Sequence, residues 1–421
     1  MITSLSKENL IHLSSIGTKY KFVADSVWVD WNKDSKGNYE KKQISIICLS
    51  DLKNNVRIIH PITDFILSKW RYHTYNTQRK HALNATMFLN YLLENKRQFK
   101  LSSLNDLEIR HGESFLNNMT ELEKSRGTVK DIERTLIQLF SYLLKQNVLP
   151  KIPPDKLATY KNINGKDINI SPFEDVIYPS RKSSPIEHTF PMEYLPLFFE
   201  IAIQVARPIV LGIYLQIFGG LRVGEVINIK RTSLKSSLNR KVVLLKVIEQ
   251  NFRTDIKDLS GSNYVKKTRQ QHVFMLKDWF ETLYKDHIEL YKDVNGTGAL
   301  FINRDGKAMT GRSYRQYFDK VKRHFIELLK SSPNTKDKIL AHHLSMVKWS
   351  THIGRGVFSN MLADYAKNPY EIAVPRGDTS LLSSLSYLKK TDRMRKKLEE
   401  RLGMMHGVYI PRLIERNPDR S

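Results

Sequence analysis

Three short stretches hold side chains that could work together on a phosphate. The first is Phe218-Gly219-Gly220-Leu221-Arg222-Val223-Gly224-Glu225-Val226. An apolar run from Ile209 to Phe218 reads as a helix that stops at two glycines, and Arg222 then opens the next helix with Glu225 one turn on. An arginine at that point adds a two-pronged donor to the free N–H groups of a helix start, which suits a phosphate. The same residues also read as a plain Arg–Glu pair within one turn. The second stretch, Ser350-Thr351-His352-Ile353-Gly354-Arg355-Gly356, puts His352 and Arg355 on one helix face behind Ser350 or Thr351 as cap. A capped helix start with incidental polar residues has that signature too. The third, Gly377-Asp378-Thr379 through to Ser386-Tyr387-Leu388, is a turn leading into a short helix that ends in a tyrosine. Tyr387 alone reads as a core aromatic as readily as a nucleophile.

Several elements must position these groups. Short alternating runs (Tyr20–Val23, Val27–Val29 and Ile44–Ile47) around Asp34–Asn38 predict a small strand-rich N-terminal module over residues 1–60. Apolar residues at helical spacing, Leu83, Met87, Phe88 and Leu92 and later Val129, Ile132, Leu136, Phe140 and Leu143, predict a helical bundle over 61–150. Asn105-Asp106 and Gly127-Thr128 read as helix starts. Lys69, Arg71, Arg79, Lys80, Lys96 and Arg97 make its polar faces basic, as a solvated surface or as a DNA face. Residues 151–190, broken by Pro153-Pro154, Pro172, Pro179 and Pro185, read as a linker. From 191 to 421 a larger, mostly helical domain follows. It is interrupted by a strand pair, Val242–Ile248 and Gln271–Leu276, with a polar connection between.

Composition narrows the partners. With 68 Lys and Arg against 43 Asp and Glu, the 421-residue chain carries a formal net charge of +25, which calls for a polyanion or an anionic surface. The most apolar stretch, Leu195 to Leu221, is interrupted by Glu200, Gln204, Arg207 and Pro208, and no uninterrupted apolar span reaches the roughly 20 residues needed to cross a bilayer. No membrane association is expected. The first 13 residues include Lys7 and Glu8 and no apolar run, so no secretory signal is expected either. Cys48 is the only cysteine, which rules out an intramolecular disulfide and a thiolate-rich metal site. These features predict a cytoplasmic, nucleic-acid-bound protein.

In this order and spacing the three stretches resemble the tyrosine recombinase (phage integrase) family. Its pattern is Arg in a Gly-x-Arg-x-x-Glu context, a Lys on a β-hairpin, His-x-x-Arg, a Gly-His or Gly-Trp turn, and Tyr. The matching positions are Arg222, a hairpin lysine, His352 with Arg355, Asp378 and Tyr387. For the lysine, counting back from Val273-Phe274-Met275-Leu276 favours Lys267, with Lys266 next to it as the alternative. The resemblance runs from about Met192 to the end. It implies a mainly α fold, in which the 61–150 bundle binds core DNA and 191–421 is an α+β catalytic domain with a small β-sheet. The 1–60 module would then be an arm-DNA-binding or contact domain.

The reaction implied is transesterification of DNA through a 3′-phosphotyrosyl intermediate, with neither metal nor nucleotide cofactor. Tyr387 would attack, His352 would influence its proton, Arg222 and Arg355 would stabilise the charge on the phosphate, and Lys267 would protonate the departing 5′ oxygen. Asp378 departs from the pattern, because an ionised carboxylate cannot donate to phosphate. It either orients a neighbour such as Tyr387 or Arg355, or caps the helix that follows. The partners implied are double-stranded DNA, further copies forming a homotetramer on synapsed DNA, and accessory DNA-bending proteins. The setting implied is a bacterial cell or phage-infected host, with the enzyme serving a mobile element. A type IB topoisomerase, a telomere resolvase, or a non-catalytic DNA-binding protein of the same fold are the alternatives.

Overall fold

The computed structural model describes residues 20–33, 37, 39–54, 56–157, 159–161, 167–180, 190–237, 242–363, 370–376 and 409–416. The chain is mainly α-helical, with small antiparallel sheets, and divides into two compact units, Met1–Ser183 and Ser184–Ser421.

In the first unit two long strands, β1 (Tyr20–Lys33) and β2 (Tyr39–Asp51), form a hairpin to which a short β3 (Val56–Ile59) adds at the β2 edge. Four α-helices follow: α1 (Thr63–Trp70), α2 (Tyr75–Asn95), α3 (Ile109–Glu121) and α4 (Arg126–Lys145). Thr74 caps α2 by accepting from Thr77 N–H, and Ser125 caps α4 by accepting from Thr128 N–H. Asn105-Asp106 forms a 3₁₀ turn, and the α-helix begins beyond it at Ile109.

The sheet is not free-standing, because Phe22 and Ile47 share one core with Phe65, Phe88, Leu136 and Phe140. Two helix side chains mimic a neighbouring strand. Asn90 pairs with both the N–H and the carbonyl of Phe22 at 2.8 Å each, and Thr63 Oγ1 does the same for Ile47 at 3.0 and 2.9 Å. The Phe22 and Ile47 N–H groups and the Phe22 carbonyl are thereby satisfied, while the Ile47 carbonyl also accepts from His60 N–H at 2.9 Å.

Part of the stretch read as a linker is built into this unit. A two-stranded ribbon joins β4 (Thr159–Lys161) to β5 (Asp167–Asn169), and Phe173 then enters the helical core. Asn117 bonds Asp175 O and Ile177 N, and Glu113 accepts from Glu174 N and Asp175 N, so the segment lies along α3. The prolines break helical periodicity there, but the apolar side chains still have a core to enter.

The second unit is organised around α6 (Val210–Gly219), every residue of which is buried. Against it pack α5 (Leu195–Val205), a four-residue α7 (Val223–Val226), and the hairpin β6 (Val242–Val247) with β7 (Arg269–Phe274). The long interval to His352 holds α8 (Trp279–Leu290), α9 (Gly311–Ser331) and α10 (Thr335–Met346). Then come α11 (His352–Ala363), α12 (Tyr370–Arg376) and a short helix Tyr409–Arg416. Gly354 has a packing role: a β-carbon there would sit 2.8 Å from Gln216 Cβ, so its absence lets α11 lie directly on α6. Among the described residues no helix is long and apolar enough to cross a membrane.

Candidate active site

The site starts where α6 stops. Gly220 takes a left-handed φ of 62° at the C-cap, and a β-carbon on it would lie 2.4 Å from the Phe358 ring of α11. Only glycine meets both conditions. The turn aims the Gly220 carbonyl at α11, where it accepts from Arg355 Nη1 at 2.6 Å. Arg355 is thus buried and fixed by a backbone atom two residues before Arg222.

Arg222 is the N-cap of α7. Its backbone N–H donates to Glu225 Oε2 at 2.9 Å and its Nη1 to Oε1 at 3.0 Å. The Glu225 side chain has no exposed surface, and Arg269, the first residue of β7, grips it through Nη1 and Nη2 at 2.5 and 2.7 Å. Exposure separates the two arginines. Arg222 keeps 32% of its side chain open and can meet a ligand, whereas Arg269, at 9%, serves the carboxylate.

The network continues through Gln271. Arg269 Nε donates to Gln271 Oε1 at 2.9 Å, and the buried Gln271 donates from Nε2 to the Pro375 carbonyl in α12. Four segments (α7, β7, α12 and the α6–α7 turn) are therefore tied to one carboxylate.

Electrostatically the site is cationic. Burial, followed by the charges of Arg222 and Arg376, pushes the Arg355 pKa down to about 10, so it stays protonated at neutral pH. Burial opposes ionisation of Glu225, but the hydrogen bonds and charge of Arg269 and Arg222 outweigh it and hold the carboxyl below its ordinary range. Among the described residues, the charges that act on Arg355 are the guanidiniums of Arg222, Arg376 and Arg269 and the carboxylate of Glu225. Such an excess is a ready anion site.

His352 is exposed on the first turn of α11, one turn ahead of Arg355, with its N–H 3.4 Å from Ser350 Oγ. Lys266 and Lys267 are exposed on the approach to β7, just ahead of Arg269. Asp378 and Tyr387 lie outside the described residues.

The chain's likeness is to DNA integrases and recombinases. The Tn1549 transposon integrase, solved with circular intermediate DNA, aligns at a TM-score of 0.49 and 16% identity, over 80% of this chain and 98% of that one. The XerH site-specific recombinase bound to difH substrate gives 0.47 and 20%, over 80% and 82%. Lambda integrase bound to DNA gives 0.42 and 13%, over 75% and 87%. No family model and no curated protein matches the chain.

Three members of the network were not singled out from sequence: Arg269, Gln271 and Arg376. A signal for Arg269 existed. A glutamate inside Val223-Gly224-Glu225-Val226-Ile227 is set in an apolar run and must find a cation if it is buried. Which of the chain's many cations it finds is a tertiary matter. Gln271 and Arg376 carry no comparable mark.

Proposed function

We propose that the chain is a site-specific DNA recombinase or integrase of the tyrosine type, acting for a mobile genetic element. The observation that carries this reading is the convergence of Arg222 and Arg355 at the α6–α7 turn, where, among the described residues that act on Arg355, three guanidiniums stand with one carboxylate. A phosphodiester supplies the negative charge such a cluster calls for. The basic balance of the whole chain supports the same substrate.

In the proposed reaction the Tyr387 oxygen attacks a DNA phosphorus and the bond from phosphorus to the 5′ oxygen breaks. His352 handles the proton of the tyrosine, while Lys267, with Lys266 as the neighbouring candidate, gives a proton to the 5′ oxygen as it leaves. Arg222 and Arg355 hold the non-bridging oxygens, where charge accumulates; losing one such donor costs about 100- to 1,000-fold in rate. The product is a 3′-phosphotyrosyl ester and a free 5′ hydroxyl. Attack by a second 5′ hydroxyl reverses the step, so bond energy is conserved without a nucleotide. Asp378 caps or orients in this scheme and takes no part in holding phosphate. The working assembly is a homotetramer on synapsed duplexes, with DNA-bending proteins as accessories.

The test is a nicked suicide duplex carrying the protein's own site. A covalent protein–DNA adduct is expected from the wild type and none from Tyr387→Phe. A wild type that forms no adduct overturns the assignment and leaves a non-catalytic DNA-binding protein; a variant that forms the same adduct overturns Tyr387 as the nucleophile. Strand exchange between two duplexes, as against relaxation of one supercoil, separates the recombinase from a type IB topoisomerase.

A further inference from the structure

The Lys33/Tyr39 end of the β1–β2 hairpin carries a cluster that the proposed chemistry does not use. Pairing along the hairpin runs in register to Asp30↔Lys41 and then slips, so that Asn32 faces Glu40 and Trp31 is the extra residue of a β-bulge. Bulges re-aim side chains. Here the indole meets the turn between α1 and α2. The Trp31 and Tyr72 rings stand edge to face with centroids 5.8 Å apart. Lys42 Nζ lies 3.9 Å from the Trp31 centroid, and the Arg71 guanidinium lies 5.5 Å from Trp31 and 5.9 Å from Tyr72. A second pair stands at the end of the same hairpin, with Lys33 Nζ 5.0 Å over Tyr39.

Part of this cluster docks the hairpin. Lys42 Nζ donates to the Arg71 carbonyl at 3.0 Å, and Trp31 is half-buried. Docking does not account for Tyr72, whose side chain packs edge-on against Trp31 and is otherwise held out, with the residue 83% exposed. The surrounding charge is mainly basic. From residue 65 to residue 93 the sequence contains Lys69, Arg71, Arg79 and Lys80 and no carboxylate. Asp30 on the hairpin is taken up by Lys41, Asp131 reaches Lys80, and Glu40 stands opposite Asn32. An open tyrosine between cations suits the sugar-phosphate backbone of a duplex, with its hydroxyl and the cations on phosphate and its ring edge toward the sugar.

We infer that Trp31, Lys42, Arg71 and Tyr72 form a contact surface for the sugar-phosphate backbone of duplex DNA, built jointly by the hairpin bulge and the α1–α2 turn. This surface lies wholly in the first unit. It rests on the proposed reading of the chain as a DNA enzyme only for its choice of duplex as ligand. It assigns the hairpin a share of DNA affinity and no share of the strand chemistry.

The test uses the full chain and non-specific duplex DNA, titrated by fluorescence anisotropy at several salt concentrations. Arg71→Gln and Lys42→Gln are each expected to flatten the dependence of log affinity on log salt by about 0.9, the value for one lost phosphate contact. Tyr72→Ala is expected to weaken binding by about two- to tenfold, the loss of one neutral backbone contact, with the salt slope unchanged. A duplex-induced change in tryptophan emission should be present in the wild type and absent in Trp31→Phe. Arg71 and Tyr72 are surface residues, so circular dichroism should report wild-type folding in their variants. Unchanged affinity and slope in Arg71→Gln, Lys42→Gln and Tyr72→Ala overturn the inference, as does an emission change that survives Trp31→Phe. These readings need no cleavage. A chain that makes no adduct but loses duplex affinity in these variants sinks the proposed chemistry and keeps this surface; the converse result does the opposite.

Discussion

Arg269 holds Glu225 through both terminal nitrogens, at 2.5 and 2.7 Å, while Arg222 reaches the same carboxylate with one prong at 3.0 Å. The buried charge is thus neutralised mainly from β7, and Arg222 keeps an open side toward solvent. Removing Arg269 strips a fully buried carboxylate of its main partner. Arg269→Met should therefore cost about 3–5 kcal/mol of stability in urea unfolding. Adding Glu225→Met to that variant should recover much of the loss, because no unpaired charge is then left inside. A double variant as unstable as the sum of the two singles would show that the pair is not coupled.

Gly220 supplies both the turn and the acceptor for Arg355. Gly220→Ala must carry a side chain at φ 62° and push its β-carbon into Phe358. The left-handed conformation alone costs about 1–2 kcal/mol, and the clash adds to it. The thermal midpoint should fall, and Phe358→Ala in the same chain should relieve the clash without relieving the backbone strain. A midpoint equal to wild type in Gly220→Ala would contradict this account of the turn.

Gln271 joins Arg269 to the last turn of α12, directly ahead of the segment that leads to Tyr387. It is buried and cannot touch DNA. Gln271→Leu keeps the volume and removes both bonds, at a cost of about 1–3 kcal/mol for the polar groups left unpaired. On the proposed mechanism its covalent adduct should form more slowly while duplex affinity stays at the wild-type value. Equal losses in binding and in adduct formation would point instead to general unfolding of the unit.

His287 gives the second unit a pH dependence of known sign. Its ring lies wholly inside the core, with Nε2 3.0 Å from the Leu300 carbonyl, and burial lowers its pKa from 6.5 to about 4. The unfolded chain binds a proton near its ordinary value, whereas the folded chain resists until about 4. Stability is therefore complete above about pH 6.5 and drains as pH falls toward 4, by about 3 kcal/mol for this group. His60 and His81, also lowered to about 4 by burial, act in the same window in the first unit. Urea midpoints measured from about pH 7 to about pH 4.5 should decline, and His287→Gln should flatten the part that belongs to the second unit.

The helices around the site were readable because their signals are local. Two glycines after an apolar run predict the end of α6, and Arg222 with Glu225 three residues on predicts the start of α7; both stand where expected. The hairpin strands were legible from β-type residues, and β6 and β7 pair as read to within two residues of each end. The N-terminal strands were read too short and β3 was not read at all. A strand's length depends on which partner edge is available, and residues 56–59 are all exposed, so they carry no burial pattern. The stretch read as a lightly structured linker includes residues 171–180, whose hold on α3 was not legible because it comes from Asn117 and Glu113 bonding backbone atoms some 60 positions away.

Residue types and spacing, by themselves, determined the mainly helical fold, the cationic character, and the order of Arg222, Lys267, His352, Arg355, Asp378 and Tyr387 along the chain. Each of these depends on neighbours within a few turns or on a simple count. Tertiary structure alone decided that Arg222 and Arg355 meet at the Gly220 turn, that Arg269 neutralises Glu225, and that Gln271 carries the network to Pro375. Those pairings join residues 44 to 135 positions apart. Burial selects them, since a charge or a carbonyl taken out of water must be answered by whatever partner the packing brings within reach.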